Sequence, residues 1–315
     1  MFCRMTWVRP PCRGSMRSRS RSSKRRSKSF AGALYLALLH LRGLARRDGA
    51  DPGRPDWTVA TWALASAVVP YLFWRMPDLL GAALTLAGLS LALAPGRGID
   101  RGLLGHRAAP WIGTAILALS IPMRLSNGAL ALVPALEALL RRRPGLAVLR
   151  GLTTAAVAGA VALVSYGMIG SLDPYRAART TFIPESGYPA GEQAEAALER
   201  FSYAPAAHVK GVSEDRRKVG YAALYYFVGR HSGLLFYFPA ALLFTVAACR
   251  RFDATTLACG AAALVSILFF VAWKPENFFG GETFIGNRYF LPIYPLALFM
   301  LPRLPSPRVL AAVWA

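Results

Sequence analysis

Apolar residues in this chain come in long unbroken runs, not in alternation with polar ones. Eight such runs stand out, at 58–74, 78–95, 108–123, 128–140, 149–171, 233–249, 255–273 and 287–302. A helix needs roughly 20 apolar residues to cross the hydrocarbon core of a bilayer, with about 17–25 the working range. The central positions of these runs are almost free of charge, and Glu137 is the exception. The run at 128–140 spans upright only if it begins near Arg124; otherwise it is partly re-entrant. Period-two alternation, the mark of a transmembrane β-barrel, is absent. The pattern predicts an all-α polytopic bundle of about eight transmembrane helices with one long extracytoplasmic loop.

Composition agrees with that pattern. Of 315 residues 55% are hydrophobic and 17% charged, with a mean hydropathy of +0.36, whereas a soluble domain carries about 25% charged residues. A disordered protein is excluded and an ordinary soluble enzyme is disfavoured. Four cysteines, Cys3, Cys12, Cys249 and Cys259, form no C-x-x-C pair, which excludes a disulfide scaffold and a zinc ribbon. There is no P-loop, no dinucleotide fingerprint and no H-E-x-x-H. No cofactor and no metal ligand set is therefore expected, and a divalent cation accompanying a substrate is left open.

The net charge of +21 resembles a nucleic-acid signal until its distribution is read. Residues 1–28 hold ten Lys/Arg and no acid, seven of them in the stretch RSRSRSSKRRSK at 17–28. A tail drawn to anionic headgroups is one reading, at roughly 1 kcal/mol per basic residue near the surface. Phosphate contacts with RNA or DNA are a second, disfavoured because no aromatic is interleaved for base stacking. The third is that the tract is not native coding sequence. The apolar run 31–41 is no signal peptide: it is short, lacks a small-residue cleavage site and runs into Arg42, Arg46 and Arg47.

Orientation follows from the distribution of Lys and Arg. With the N-terminus inside, inner segments hold 25 basic residues and outer ones 12; short loops alone hold 11 inside against 4 outside. Ten of the sixteen acids lie on the outer side. The expected layout is a basic disordered cytoplasmic tail with a short interfacial segment at 1–57 and a first transmembrane bundle of about five spans at 58–171. An extracytoplasmic loop with short helices follows at 172–232, then three spans at 233–302 and a basic cytoplasmic end at 303–315. Within the loop, residues 190–201 have helical spacing with an acidic face. Residues 221–229 (YAALYYFVG) are aromatic-rich, as suits the headgroup level. No internal repeat supports an inverted-repeat transporter.

Four patches carry candidate chemistry. In WRMPD (74–78), Asp78 either caps the following helix or is a catalytic carboxylate at the membrane face. In RLSN (124–127), Ser126 or Asn127 is placed to cap a helix that ends in Arg141, Arg142 and Arg143. Arg124 there either snorkels or pairs with a phosphate. The stretch around DPYR (173–176) and FIPESGYP (182–189) describes a stiff, shaped loop, either a lid or a cover over the bundle. The fourth patch, KPENFFGGETFIGNRYFLPIYP (274–295), sets Asn287 and Arg288 at the outer start of an apolar helix. A charge at that depth is usually paired, and Glu282 or Glu276 is the obvious partner. Arg230 and His231 fall where they could join the same cavity, whereas His40, His106 and His208 have no partner pattern.

With those residues in view, the chain resembles the bacterial GT-C class of polytopic glycosyltransferases, which use polyprenyl-phosphate-linked sugars. RLSNGALALVPAL (124–136) with its trailing arginines is similar to the class's R-P-S/T-N…P helix. GGETFIGNRYFLPIYP (280–295) is similar to its late G-x-R-Y-x-x-P-x-x-P helix start. YYFVGRHSGLL (225–235) resembles a segment of bacterial membrane proteins in the same neighbourhood. The resemblance covers about residues 60–302. It implies an inner-membrane enzyme that moves a sugar from a polyprenyl-phosphate carrier to an acceptor on the extracytoplasmic face. A carboxylate would deprotonate the acceptor while cations hold the lipid phosphate. On that reading Arg124, Arg230 and Arg288 hold phosphate, with Glu282 and Asn287 beside them. Tyr188 and Tyr289 stack on sugar, and Asp78 is the reserve base. The class places its catalytic acid in a large first outer loop, whereas the first outer segment here is the short turn at 75–78. That departure, and an apolar run broken off at residue 315, suggest a fragment lacking its catalytic loop. The alternatives are such an inactive fragment or a non-catalytic multi-pass protein, a transporter or assembly partner. Membrane lipids are partners on every one of these readings; sugar, acceptor and oligomeric state stay open.

Overall fold

A computed structural model describes residues 16–73, 77–100, 102–169, 216–230, 233–249, 252–273 and 286–314. Within them the chain is all-helical, with no strand. The expected helices at 190–201 and the loop around 173–189 lie outside the described residues.

The helices are α1 (Met16–Asp48), α2 (Arg54–Leu64), α3 (Val68–Phe73), α4 (Pro77–Ala92), α5 (Ala109–Ala118), α6 (Asn127–Ala131), α7 (Val133–Leu140) and α8 (Pro144–Ile169). After the 170–215 stretch come α9 (Arg216–Val228), α10 (Leu234–Tyr237), α11 (Pro239–Ala248), α12 (Ala254–Trp273), α13 (Leu296–Met300) and α14 (Pro307–Trp314). Proline sets several of the boundaries: it suits the first turn, where its missing N–H costs nothing, and it breaks a helix interior. The run 128–140 is thereby split before Pro134 into α6 and α7, and 233–249 is split at Phe238 before Pro239. Pro292 and Pro295 confine 287–302 to a short 3-10 turn, Arg288–Phe290, and the five residues of α13. Helix α12 starts cleanly because the Asp253 carboxylate accepts the Thr256 N–H at 2.6 Å, an N-cap contact.

The helices run up and down between two ends. Residues Asp78, Arg124 and Arg288 mark one, called here the site end. Arg97, Glu137 and Asp253 mark the other, the clasp end. Helix α5 runs against α4, with Gly113 placed against Gly88 and Ala92. A Cβ at Gly113 would stand 2.5 Å from the Ala92 nitrogen and 2.6 Å from the Gly88 carbonyl oxygen, so only glycine allows this approach. Helix α12 runs against α6 and α7: the Thr255 hydroxyl reaches Glu137 at 2.8 Å, and Ser266 reaches the Ser126 carbonyl at 3.3 Å.

Helix α1 stands where a disordered tail and short interfacial segment are expected at 1–57, of which residues 1–15 lie outside the described residues. Residues 16–48 form one helix of 33 residues, about 50 Å long at 1.5 Å per residue. Phe30, Ala33, Ala37, Leu41 and Leu44 are buried at the three- and four-residue spacing of one helical face. The contacts with α4 and the turns after it advance together: His40 Nδ1 to the Ser90 carbonyl at 3.1 Å, Gly43 against Ile99, and Arg47 to the Arg97 carbonyl at 3.2 Å. Helix α1 is therefore parallel to α4, with Phe30 on the Asp78 side of His40.

Two helices are long and apolar enough to cross a membrane, at Pro144–Met168 and Ala254–Ala272. Only 11% of the first window is buried. Val148, Leu149, Leu152, Leu163, Val164 and Met168 of α8 are exposed, which separates α8 from the core helix of a soluble protein, buried on all sides.

Candidate functional site

Three of the four sequence patches meet at the site end. Asp78 stands in the first turn of α4 and is 3% exposed. Arg124 follows the 3-10 turn Ile121–Met123 in extended backbone, and its Nη2 forms an ion pair with Asp78 Oδ1. The Arg124 guanidinium also lies 4.4 Å from the centroid of the Tyr289 ring, a cation–π contact worth up to about 2 kcal/mol when desolvated. Arg288 sits 5.1 Å from the same ring and donates from Nη2 to the Tyr289 hydroxyl at 3.3 Å.

The segment bearing Arg288 and Tyr289 is held from below. Asn287 is fully buried, and its Oδ1 accepts the Tyr289 N–H at 3.0 Å. Gly286 has φ +73°, and a Cβ there would meet Tyr237 Cβ at 3.1 Å and Phe238 at 3.2 Å, so this turn requires glycine. Phe270 flanks the Tyr289 and Phe290 rings at 5.5 and 5.9 Å. Pro292 lies 3.1 Å from a Cβ placed on Gly81 of α4, which brings the late segment onto the helix carrying Asp78.

The structure changes several roles. Ser126 and Asn127 do not cap α6. Ser126 has helical dihedrals and makes no side-chain cap bond, while Asn127 donates to the Ser120 carbonyl at 2.9 Å. That bond ties the chain on either side of Arg124 together. Tyr289 turns a ring face to Arg124. Arg230 is exposed after α9, with its carbonyl accepting the Tyr237 hydroxyl at 2.9 Å. Tyr188 and Glu282, like Glu276 and His231, lie outside the described residues. Among the described residues no three His, Cys, Asp or Glu side chains gather.

A second charged cluster sits at the clasp end. Glu137, 1% exposed, accepts from Arg141 Nε at 3.0 Å, Thr255 at 2.8 Å and Arg150 Nη1 at 3.2 Å. Arg97 donates to the carbonyls of Leu301 and Phe299 at 2.6 and 2.7 Å and lies 3.5 Å from Asp253. Burial lowers the Arg97 pKa from its ordinary value, and the Asp253 carboxylate opposes the shift. Sequence reasoning singled out Glu137 as the lone interior charge and read the arginines as loop charges and helix-dipole partners. The signal that could have joined them was the requirement that a buried carboxylate find cations. No protein family, no curated protein sequence and no solved structure matches the chain.

Proposed function

We propose that this chain is a polytopic membrane protein that holds the phosphate of a lipid-linked sugar at the site end of its bundle. The observation that carries the reading is the meeting of Asp78, Arg124 and Arg288 around Tyr289 from three separate stretches of chain. A planar guanidinium matches phosphate oxygens two at a time, and Arg124 and Arg288 bring two of them to one ring. Asp78 orients Arg124 and Tyr289 forms the platform beneath it. By the resemblance to GT-C transferases, the reaction is transfer of the sugar from polyprenyl phosphate to an acceptor hydroxyl, with Asp78 as the candidate base.

The membrane reading rests on the eight apolar runs, on the two helices long and apolar enough to cross a bilayer, and on the exposed apolar face of α8. Asp78 and Arg97 lie at opposite ends of α4 and its following turn, about 28 Å apart at a helical rise, close to the roughly 30 Å of a hydrocarbon core. Short connections at the clasp end, counted with Arg46, Arg47 and Arg54, carry fourteen Lys/Arg against four at the site end, a bias toward a cytoplasmic clasp end that the seven Lys/Arg at 16–28, ahead of the buried part of α1, oppose. An outward-facing site is the orientation that the resemblance implies.

Transfer is tested with membranes carrying the chain, a polyprenyl-phosphate donor with radiolabelled sugar, and lipid and glycan acceptors. Label moving to the acceptor, and at least 100-fold less in Asp78→Asn, is the expected result for loss of a general base. Label that stays on the donor with wild-type membranes contradicts the transferase reading and leaves a non-catalytic lipid-binding protein.

A further inference from the structure

A narrow apolar slot runs along the bundle from beside the arginine cluster. Its floor is the late segment from Phe290 to Met300, and its walls are α11, α12 and the end of α9. Two contacts tie walls to floor at the far end. The Thr256 hydroxyl of α12 donates to the Met300 carbonyl at 2.7 Å, and the Thr245 hydroxyl of α11 lies 3.9 Å from the Met300 sulfur. Nearer the site, the small side chains of Ala241, Ala263 and Ala297 leave walls and floor apart. The space is about 70 Å³, drawn out along roughly 15 Å of floor at a helical rise. A cavity that takes a benzene ring is about 150 Å³, so this slot admits a single file of methylenes. Its flanks are open: Leu264 and Leu268 of α12 and Val246 of α11 are exposed. Beside a bilayer, such a gap in an apolar surface acquires dispersion contacts when a hydrocarbon chain enters it.

Tyr294 sets a polar group in this slot. The residue is 3% exposed, and its buried hydroxyl makes no hydrogen bond among the described residues. Its ring is held by stacking on Phe238 and by an edge contact with Phe290, so the hydroxyl stays where packing puts it. Tyr71 and Tyr226 act on it electrostatically, and Tyr71 in turn lies in the field of Asp78, Arg124 and Arg288. The hydroxyl therefore belongs to the site end of the slot. A buried hydroxyl needs an acceptor. An isoprenoid tail is hydrocarbon throughout and offers none, whereas an ester-linked acyl chain carries a carbonyl oxygen at its head.

We propose that the slot is a binding site for one acyl chain of a glycerophospholipid, whose ester carbonyl accepts from the Tyr294 hydroxyl. Tyr226 and Phe290, with ring centroids 4.6 Å apart, form the edge where the chain meets the rim, and the headgroup lies beside the Arg288–Tyr289 turn. The phospholipid is a neighbour of the lipid-linked sugar and not its carrier. The inference rests on the membrane reading above but not on sugar transfer.

The test holds the full chain in detergent micelles doped with equal amounts of dioleoyl phosphatidylglycerol and its diether analogue, which lacks the ester carbonyls. Retained lipids are counted by native mass spectrometry. Wild type is expected to retain the ester lipid at least about threefold over the ether, as one hydrogen bond allows. Tyr294→Phe should bring the two counts level with the melting midpoint unchanged. Ala263→Leu, which fills the slot, should lower retention of both lipids, and Leu264→Ala on the outer face of α12 should alter neither count. Equal retention of ester and ether by wild type overturns the inference without recourse to any variant. An ester preference that survives in Tyr294→Phe overturns it too. So does displacement of the ester lipid by an equal concentration of decaprenyl phosphate, which would give the slot to an isoprenoid tail. Sedimentation with membranes after an alkaline carbonate wash, measured separately, tells failure of this inference from failure of the membrane reading.

Discussion

Glu137 shows what one residue does in this bundle. Its carboxylate is shared by Arg141, Arg150 and Thr255, so truncation leaves Arg150, 5% exposed, without its counter-charge. Removing one partner of a buried pair costs about 3–5 kcal/mol. Glu137→Ala should lower the midpoint of thermal unfolding in detergent well below that of Glu137→Gln, which keeps two hydrogen-bonding atoms; equal midpoints would contradict the clasp. At the site end Asn287 has the analogous local task, since its Oδ1 fixes the Tyr289 N–H. Asn287→Asp keeps that acceptor and adds a charge in a buried setting, whereas Asn287→Leu removes it. Of the two, Asn287→Leu should lose more lipid-phosphate affinity at equal expression if positioning of Tyr289 is what matters. The sequence disclosed Asp78, Arg124, Asn287, Arg288 and Tyr289 individually, because charges and amides in apolar surroundings need a reason. It did not disclose that Arg124 would take both Asp78 and the Tyr289 ring, because pairing across 165 residues is a property of packing.

At the scale of elements, the apolar runs located most helices, and proline explains where they break. Helix α1 was missed for a physical reason: its apolar residues form one face, at 30, 33, 37, 41 and 44, and the run ends in arginines. A one-sided helix buried against α4 does not need the continuous hydrophobicity that a lipid-facing one does. Packing of α4 on α5 rests on glycine at 113. Gly113→Val should prevent that approach and reduce the folded yield sharply, whereas Gly159→Val on the open face of α8, where a Cβ meets nothing within 4 Å, should leave yield and melting unchanged. Size-exclusion profiles of the two variants check the contrast. A monodisperse Gly113→Val would show that the helices do not approach as described.

The whole molecule has one directional consequence that native cysteines report. Cys249 is exposed at the clasp end of α11, and Cys259 is buried. With the clasp end in the cytoplasm, a membrane-impermeant maleimide added to intact cells should spare Cys249 in a variant lacking Cys3 and Cys12, and should label it after permeabilisation. Labelling in intact cells would reverse the molecule and put the Arg124 site on the cytoplasmic side. The most direct measurement is binding of a radiolabelled polyprenyl-phosphate sugar by the chain in phospholipid nanodiscs, compared with Arg124→Ala and Arg288→Ala. Saturable binding that weakens at least tenfold in each variant, with melting unchanged, is the predicted result. Binding equal in wild type and both variants, or absent from a well-folded wild type, would contradict a lipid-phosphate site at this end of the bundle.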